Sequence, residues 1–192
     1  MTTRLTEEQV MIQDMAKRFA ADRLGPHTSD WDKNKHFPVD VIRDSAELGF
    51  AGIYVGEDVG GSALGRLDAA LIFEQLSYGD VSTAAFISIH NMASWMIDRF
   101  GSEDQRKTWL PKLTSMDLIA SYCLTEPGSG SDAAAMKTTA VRDGDEYVLN
   151  GSKQFISGAG TSDIYVLMAK TSDEGARGVS AFIIPLGAPG LS

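Results

Sequence analysis

With 192 residues, of which 43% are hydrophobic, the chain is long enough for one large or two small domains with an ordinary core. A net charge of −9 at pH 7 argues against binding to nucleic acid or an anionic membrane, since both call for a basic surface. The single cysteine, Cys123, excludes an internal disulfide framework, and the scattered histidines argue against a metal centre.

The first part of the chain is predicted to be a helical bundle. Thr6 with Gln9, and Ser102 with Gln105, have the spacing of capping boxes, which mark helix starts. Pro111 must kink or end the helix that contains it. The predicted helices begin near Thr6, Pro38, Arg66, Ser82 and Ser102, and the second of them ends at Gly49.

After residue 117 the apolar period changes from about 3.6 to about 2 residues, which predicts strands. Asp143–Gly144 and Asn150–Gly151 are turn signals. No helix of useful length separates the strands, so we expect an antiparallel sheet or barrel. The predicted organisation is an α-helical domain over residues 1–117 and a β-domain over 118–192. The predicted strands lie within 118–124, 138–151, 163–171 and 178–185.

A loop rich in glycine and serine, "YCLTEPGSGSDAA" (residues 122–134), leaves the first predicted strand. The dinucleotide fingerprint G-x-G-x-x-G, with its following helix, is absent from it. Backbone amides and hydroxyls in such a loop suit the polar edge of a planar ring or a phosphate. A solvated turn is the alternative interpretation.

The order of these segments resembles the acyl-CoA dehydrogenase family. The resemblance rests on "YCLTEPGSGSD" and "LNGSKQFISGAG", and it extends over the chain through "EDVGG" and "FGSEDQRKTWLPKL". It implies FAD as cofactor and the α,β-dehydrogenation of an acyl-CoA. The most similar members of the family act on short, branched substrates such as the isobutyryl-CoA of valine breakdown.

The resemblance also implies a set of site residues. Thr125 is expected near the pyrimidine edge of the flavin, Ser157 near N5, and Phe155 on the ring face, while Ser131 should also contact acyl-CoA. The implied FAD contacts are Tyr122, Cys123, Leu124, Thr125, Glu126, Pro127, Gly128, Ser129, Gly130, Ser131, Phe155, Ile156 and Ser157.

Several of these residues also have plain interpretations. Tyr122 and Cys123 could be core residues of a strand, and Cys123 has no visible activating partner. Glu126, before a proline, could be a solvated loop acid. Phe155 could be an ordinary strand residue, and His90, on an apolar helical face, is interpreted as a core histidine outside the site.

Family members continue for roughly as many residues again, through the rest of the β-domain and a C-terminal four-helix bundle, and the family's catalytic glutamate lies in that further portion. No catalytic residue is therefore predicted in this chain, and by itself it is expected to be inactive. The resemblance further implies a homotetramer and an electron-transfer flavoprotein as acceptor. An acyl-CoA oxidase, a flavin-dependent monooxygenase and a non-catalytic fragment remain alternatives.

The N-terminal segment, residues 1–24, is amphipathic and contains acidic residues. It has neither the apolar run of a signal peptide nor the composition of a transit peptide. A cytoplasmic location is expected, or the mitochondrial matrix if a presequence has been removed.

Overall fold

The computed structural model describes residues 4–192, so residues 1–3 of the amphipathic N-terminal segment lie outside it. The chain divides into a helical unit that ends at Leu118 and a sheet unit, Ile119–Ser192. No helix in the described part of the chain is long and apolar enough to cross a membrane. The helices are α1 (Glu7–Phe19, continued by a π-helical turn, Ala20–Leu24), α2 (Thr28–Asn34), α3 (Val39–Asp44), α4 (Arg66–Gly79), α5 (Val81–Phe100) and α6 (Glu103–Thr114).

Both predicted capping boxes are confirmed. The Gln9 N–H donates to Thr6 Oγ1 at 3.1 Å, and the Gln105 N–H donates to Ser102 Oγ at 3.2 Å. The helix that contains Pro111 ends within its next turn, at Thr114. These helix ends could be predicted because a cap depends on residues only three positions apart.

Two details of the helical prediction were wrong. The helix α2 was missed because none of its residues is buried, so its sequence has no apolar stripe. The predicted helix from Pro38 to Gly49 is α-helical only over α3, after which Ser45–Leu48 form a tighter 3₁₀ turn. Gly49, with a φ of +76°, ends it as predicted.

Large apolar side chains from several helices form the core of the helical unit. Leu24, Ile72, Leu76 and Ile87 are each fully buried. The side chain of Asn91 ties the chain after α3 to this core, since it accepts from the Ile53 N–H and donates to the Phe50 carbonyl, both at 2.7 Å.

His90 on α5 is a core histidine, as expected. It is fully buried, and its Nε2 lies 3.0 Å from the carbonyl oxygen of Leu113. Burial lowers the pKa of His90 to about 4, although the contact with Leu113 acts in the opposite direction. The imidazole is therefore neutral at pH 7.

The sheet of the second unit is mixed, and the expectation of a purely antiparallel sheet was wrong in this respect. The central strand, β4, pairs antiparallel with β5 along one edge and parallel with β1 along the other. Parallel neighbours need a long connection, and here residues 124–163 supply it with a hairpin, loops and a short 3₁₀ turn, without an α-helix. The strands are β1 (Ala120–Cys123), β2 (Thr139–Asp143), β3 (Glu146–Asn150), β4 (Ile164–Lys170) and β5 (Val179–Pro185).

The hairpin β2–β3 is confirmed, with its turn displaced by one residue. Asp143 pairs with Glu146, so the turn consists of Gly144 and Asp145. Gly144 has a φ of +61°, and a glycine in the first turn position is what a type II′ hairpin turn requires. The hairpin meets β4 through a single pair, Thr139 with Lys170.

Candidate functional site

Two segments of the sheet unit that are distant in sequence lie beside each other. One, the β1 loop, consists of residues 124–132, and the other, the β3 loop, of residues 151–163. The Gln154 N–H donates to the carbonyl oxygen of Thr125 at 2.8 Å. The structure thus brings together the two groups of residues that were predicted to share one site.

The tip of the β1 loop is a closed turn. The Glu126 N–H donates to the Ser129 carbonyl at 2.8 Å, and the Ser129 N–H donates back to the Glu126 carbonyl at 3.1 Å. Pro127 and Gly128 lie exposed between them. This pairing gives the loop a defined shape in spite of its glycine and serine content.

The glycines of the β1 loop are not required by the fold of the chain itself. Neither Gly128 nor Gly130 has a positive φ. A Cβ added at Gly128 would meet no atom within 4 Å, and one at Gly130 would meet only Thr125 Cγ2 at 4.0 Å. Close approach by another molecule remains a physical reason for glycine at both positions.

Glu126 is not a solvated loop acid. Its side chain and that of Lys153 are 6% and 7% exposed, and Lys153 Nζ lies 2.8 Å from Glu126 Oε1. The carboxylate also accepts from the Lys137 N–H at 2.6 Å and the Thr138 N–H at 3.0 Å. Burial by itself would raise the pKa of Glu126, but these donors outweigh it and lower the pKa to about 2.

Gly151 allows the β3 loop to reach this carboxylate. A Cβ at Gly151 would lie 2.7 Å from the Cα of Thr138 and 2.3 Å from its Oγ1, so only glycine fits. Its φ is not positive, and residues 151–163 form no strand. The interpretation of Asn150–Gly151 as a turn signal was therefore wrong, because close approach is what selects the glycine.

Phe155 lies on the surface, and it does not belong to a strand. Its side chain is 84% exposed, and its backbone has a φ of 59°, in the left-handed region that a bulky residue rarely adopts. Ile156, next to it, is half-buried. Ser157 is exposed, and its carbonyl accepts from Ser121 Oγ at 2.5 Å, which ties the β3 loop to β1.

The two candidates within β1 differ in exposure. Cys123 is buried, and burial raises its pKa to about 11, although nearby Lys153 acts in the opposite direction. The thiol is therefore protonated and unreactive at neutral pH, as expected. Tyr122 is half-buried, and burial, with a smaller contribution from Cys123, raises its pKa.

Several polar groups of the candidate set have no partner within the described residues, 4–192. These groups are the hydroxyls of Thr125, Ser131 and Ser157, while Ser129 Oγ donates to the Asp132 carbonyl at 2.9 Å. The backbone carbonyl of Leu124 is also occupied, because it accepts a hydrogen bond from Lys153 Nζ at 2.9 Å. The unpartnered hydroxyls are available to a ligand.

Comparison with known proteins gives the family. Residues 6–117 match the family model described as acyl-CoA dehydrogenase, N-terminal domain, and residues 121–192 match that of the acyl-CoA dehydrogenase middle domain. The chain belongs to the acyl-CoA dehydrogenase family. The helical unit contains the first of these matches and the sheet unit the second.

Individual members of the acyl-CoA dehydrogenase family are also similar. The chain is 57% identical over 189 residues to the mitochondrial isobutyryl-CoA dehydrogenase of Dictyostelium discoideum, covering 98% of this chain and 45% of that protein. A structure of butyryl-CoA dehydrogenase from Megasphaera elsdenii is 33% identical with a TM-score of 0.91, covering 99% of this chain and 51% of the other. An FAD complex of PigA is 36% identical with a TM-score of 0.93, and the coverage is again 99% and 51%. The chain thus spans about half the length of the relatives it matches.

Sequence reasoning missed the residues that hold the two loops together, namely Lys153, Gly151, Thr138 and Ser121. Lys153 stands only two positions from Phe155, but nothing local in the sequence indicates that it pairs with Glu126, 27 residues away. The run "NGSK" contained one signal for these contacts. A glycine that is not in a turn, such as Gly151, indicates close approach of another part of the backbone.

Proposed function

We propose that this chain provides the cofactor-facing and part of the substrate-facing surface of an FAD-dependent enzyme that dehydrogenates a short, branched acyl-CoA between C2 and C3. The observation that carries the proposal is the contact between the β1 loop and the β3 loop. These are the two segments that the family resemblance assigns to the flavin, and the fold gives them a common location.

The residues present fit a flavin. Gly128 and Gly130 leave open space where a side chain would stand, so a flat ring or a phosphate could approach the backbone. The hydroxyls of Thr125 and Ser157 would hydrogen-bond polar atoms of the cofactor, and the exposed ring of Phe155 would contact its apolar surface. We keep the remaining residues of the predicted set in the proposal as neighbours of the cofactor.

FAD, when bound, supplies the acceptor for the hydride that leaves C3 of the acyl group. The role of this chain is to bind and orient both molecules and to exclude water. Ser131, exposed and unpartnered among the described residues, would contact the acyl-CoA. Glu126 does not qualify as the base that removes the C2 proton, because its carboxylate already accepts three hydrogen bonds and its pKa is about 2.

The substrate class follows from similarity. The identity of 57% to an isobutyryl-CoA dehydrogenase supports a short, 2-methyl-branched acyl group. A methylene mismatch in an apolar pocket discriminates by only about 1–3 kcal/mol, so other short chains should be used less well but not refused. In a completed enzyme that also contains the portion with the catalytic base, anaerobic bleaching of the flavin by isobutyryl-CoA and by octanoyl-CoA would compare the two, and a preference for octanoyl-CoA would contradict this assignment.

The partners are proposed on the same basis. An electron-transfer flavoprotein is the proposed acceptor of the electrons, and a homotetramer is the proposed assembly. The named Dictyostelium relative is mitochondrial, so the matrix is an alternative to the predicted cytoplasmic location. Reduced flavin that is reoxidised rapidly by oxygen would instead support an acyl-CoA oxidase or a monooxygenase.

The cofactor is tested by removing the proposed hydroxyl contacts. In a full-length context, the variant Thr125→Val/Ser157→Val should bind FAD more weakly, by about 1–3 kcal/mol for each polar group that loses its partner. The matched control is Thr171→Val, because Thr171 Oγ1, directly after β4, and Ser180 Oγ of β5 form a hydrogen bond of 2.9 Å, outside both loops. Unchanged FAD affinity in the double variant, or an equal loss in the control, would contradict the assignment.

A further inference from the structure

The buried pair of Glu126 and Lys153 joins four parts of the sheet unit. Lys153 Nζ, in the β3 loop, donates to the Leu124 carbonyl at 2.9 Å and to Glu126 Oε1 at 2.8 Å. The carboxylate of Glu126 in turn accepts from the backbone of Lys137 and Thr138, directly before β2. The first residue of the β1 loop, the tip of that loop, the segment before β2 and the β3 loop therefore meet at one ion pair.

These interactions are buried within the sheet unit. Both side chains are more than nine-tenths buried, and the two oxygens of Glu126 are occupied by three donors. The side chain of Glu126 is therefore occupied, and any contact of this residue with FAD is proposed to be made by its backbone. Its backbone remains part of the loop.

A buried ion pair is a poor choice if stability is all that is required. Removing two charges from water costs about as much as their attraction returns, and an apolar pair of similar volume often stabilises a fold equally well. An ion pair with further hydrogen bonds is directional, however, and it specifies one arrangement of the segments that it joins. Because the pair joins both candidate loops, that specificity has a use.

We propose that Glu126 and Lys153 are positioning residues that hold the β1 loop and the β3 loop at the separation at which they bind FAD. The inference rests on the function proposed above, because it takes the two loops to be the flavin site. It predicts that the pair acts on cofactor affinity separately from its effect on stability.

Three variants separate these effects: Glu126→Gln, Lys153→Met, and both together. Each single change leaves one buried charge without its counter-charge, so the melting temperature of the protein without FAD should fall. The double variant removes both charges and should recover most of that loss. It still lacks the bond from Lys153 to Leu124, so its FAD dissociation constant, from fluorescence titration, should stay raised about 10- to 100-fold, the range known for supporting contacts behind metal sites.

Hydrogen–deuterium exchange of the protein without FAD gives a readout independent of the cofactor. In the double variant the Gln154 amide, which is bonded to Thr125, should exchange several times faster, while the Val166 amide in β4 keeps its rate. Thr171→Val serves as the control, and it should change neither the affinity for FAD nor the exchange of Gln154.

The outcomes are distinguishable. A double variant with wild-type FAD affinity and wild-type Gln154 exchange would overturn the positioning role and leave the proposed function intact. A wild-type protein that does not bind FAD in a full-length context would overturn the proposed function, and the positioning role with it. Weakened binding in a double variant that melts close to the wild-type temperature supports the inference.

Discussion

The helical unit and the sheet unit are held together by different interactions. Among the described residues, the largest fully buried side chains belong to the helical unit, apart from Ile119 at the first position of the sheet unit. In the sheet unit, Val141, Tyr147 and Val148 of the hairpin are exposed. The loops of the candidate site are joined by polar groups around Glu126. Apolar packing thus maintains one unit, and directional contacts shape the functional part of the other.

The largest effect is expected from a core substitution in the helical unit. Leu76→Ala should lower the free energy of unfolding by about 2–5 kcal/mol, because it leaves a cavity at a fully buried position of α4. Tryptophan fluorescence in a urea titration measures this, since Trp31, Trp95 and Trp109 all lie in the helical unit. Leu67→Ala, at an exposed position of the same helix, is the control and should change stability by less than about 0.5 kcal/mol. Equal losses in the two variants would contradict the comparison.

The second-largest effect is expected where Gly151 lies close to Thr138 in the sheet unit. Gly151→Ala places a methyl group against the backbone of Thr138, which should destabilise the sheet unit by about 1–3 kcal/mol. Hydrogen–deuterium exchange of β4 is the measurement, because tryptophan fluorescence reports only the helical unit.

Gly128→Ala is the matched control for Gly151→Ala, because a Cβ at Gly128 meets no atom of the chain. Its exchange rates should equal those of the wild type, while its affinity for FAD should fall. A fold that tolerates Gly151→Ala as well as Gly128→Ala would show that the contact with Thr138 does not select the glycine.

Acid should affect the two units in different pH windows. The pKa of His90 falls from 6.5 to about 4 on folding, so the unfolded state takes up the proton first. Stability is therefore lost as the pH decreases from 6.5 towards 4, by about 1–2 kcal/mol at pH 5. For Glu126, whose pKa falls from 4.5 to about 2, the contribution is present above pH 4.5 and is lost towards pH 2.

Tryptophan fluorescence in urea at a series of pH values tests the window of the helical unit. The variant His90→Gln should have a flatter stability profile between pH 6.5 and pH 4 than the wild type. Leu76→Ala, which changes no titratable group, should be less stable but keep the wild-type slope. The same slope in all three proteins would contradict the role of His90.

The smallest effect is expected at a helix end. Ser102→Ala removes the acceptor of the Gln105 N–H and should cost about 1 kcal/mol. Ser102→Thr retains an oxygen at this position and should recover most of the loss in a urea titration. If the alanine variant were as stable as the threonine variant, the capping box would not contribute to the stability of α6.

Features that depend on neighbouring residues were predicted correctly from the sequence, and features that depend on residues distant in sequence were not. Capping boxes and the β2–β3 hairpin depend on neighbouring residues, so local patterns predicted them. The parallel pairing of β1 with β4 joins residues such as Ala120 and Ile164, and local periodicity carries no information about such a pair. For the same reason Glu126 was interpreted from its neighbour Pro127 instead of from Lys153.

The candidate site likewise has features that could be predicted from the sequence and features that could not. The family resemblance predicted which segments belong to it, and the fold brings both segments together. The backbone conformation of Phe155 and the close contact of Gly151 could not be predicted, because each depends on the path of the β3 loop past other parts of the chain. Contact of the individual residues with FAD stays a prediction.

The conformation of Phe155 has a consequence for protein engineering. A left-handed backbone costs a bulky residue roughly 1–2 kcal/mol, and this phenylalanine is 84% exposed, so within the chain neither its backbone nor its ring is in a favourable setting. Asparagine tolerates that backbone better. A library selected only for heat resistance, in cells starved of riboflavin, should therefore enrich Phe155→Asn, and the same library selected for cofactor retention should keep the aromatic ring.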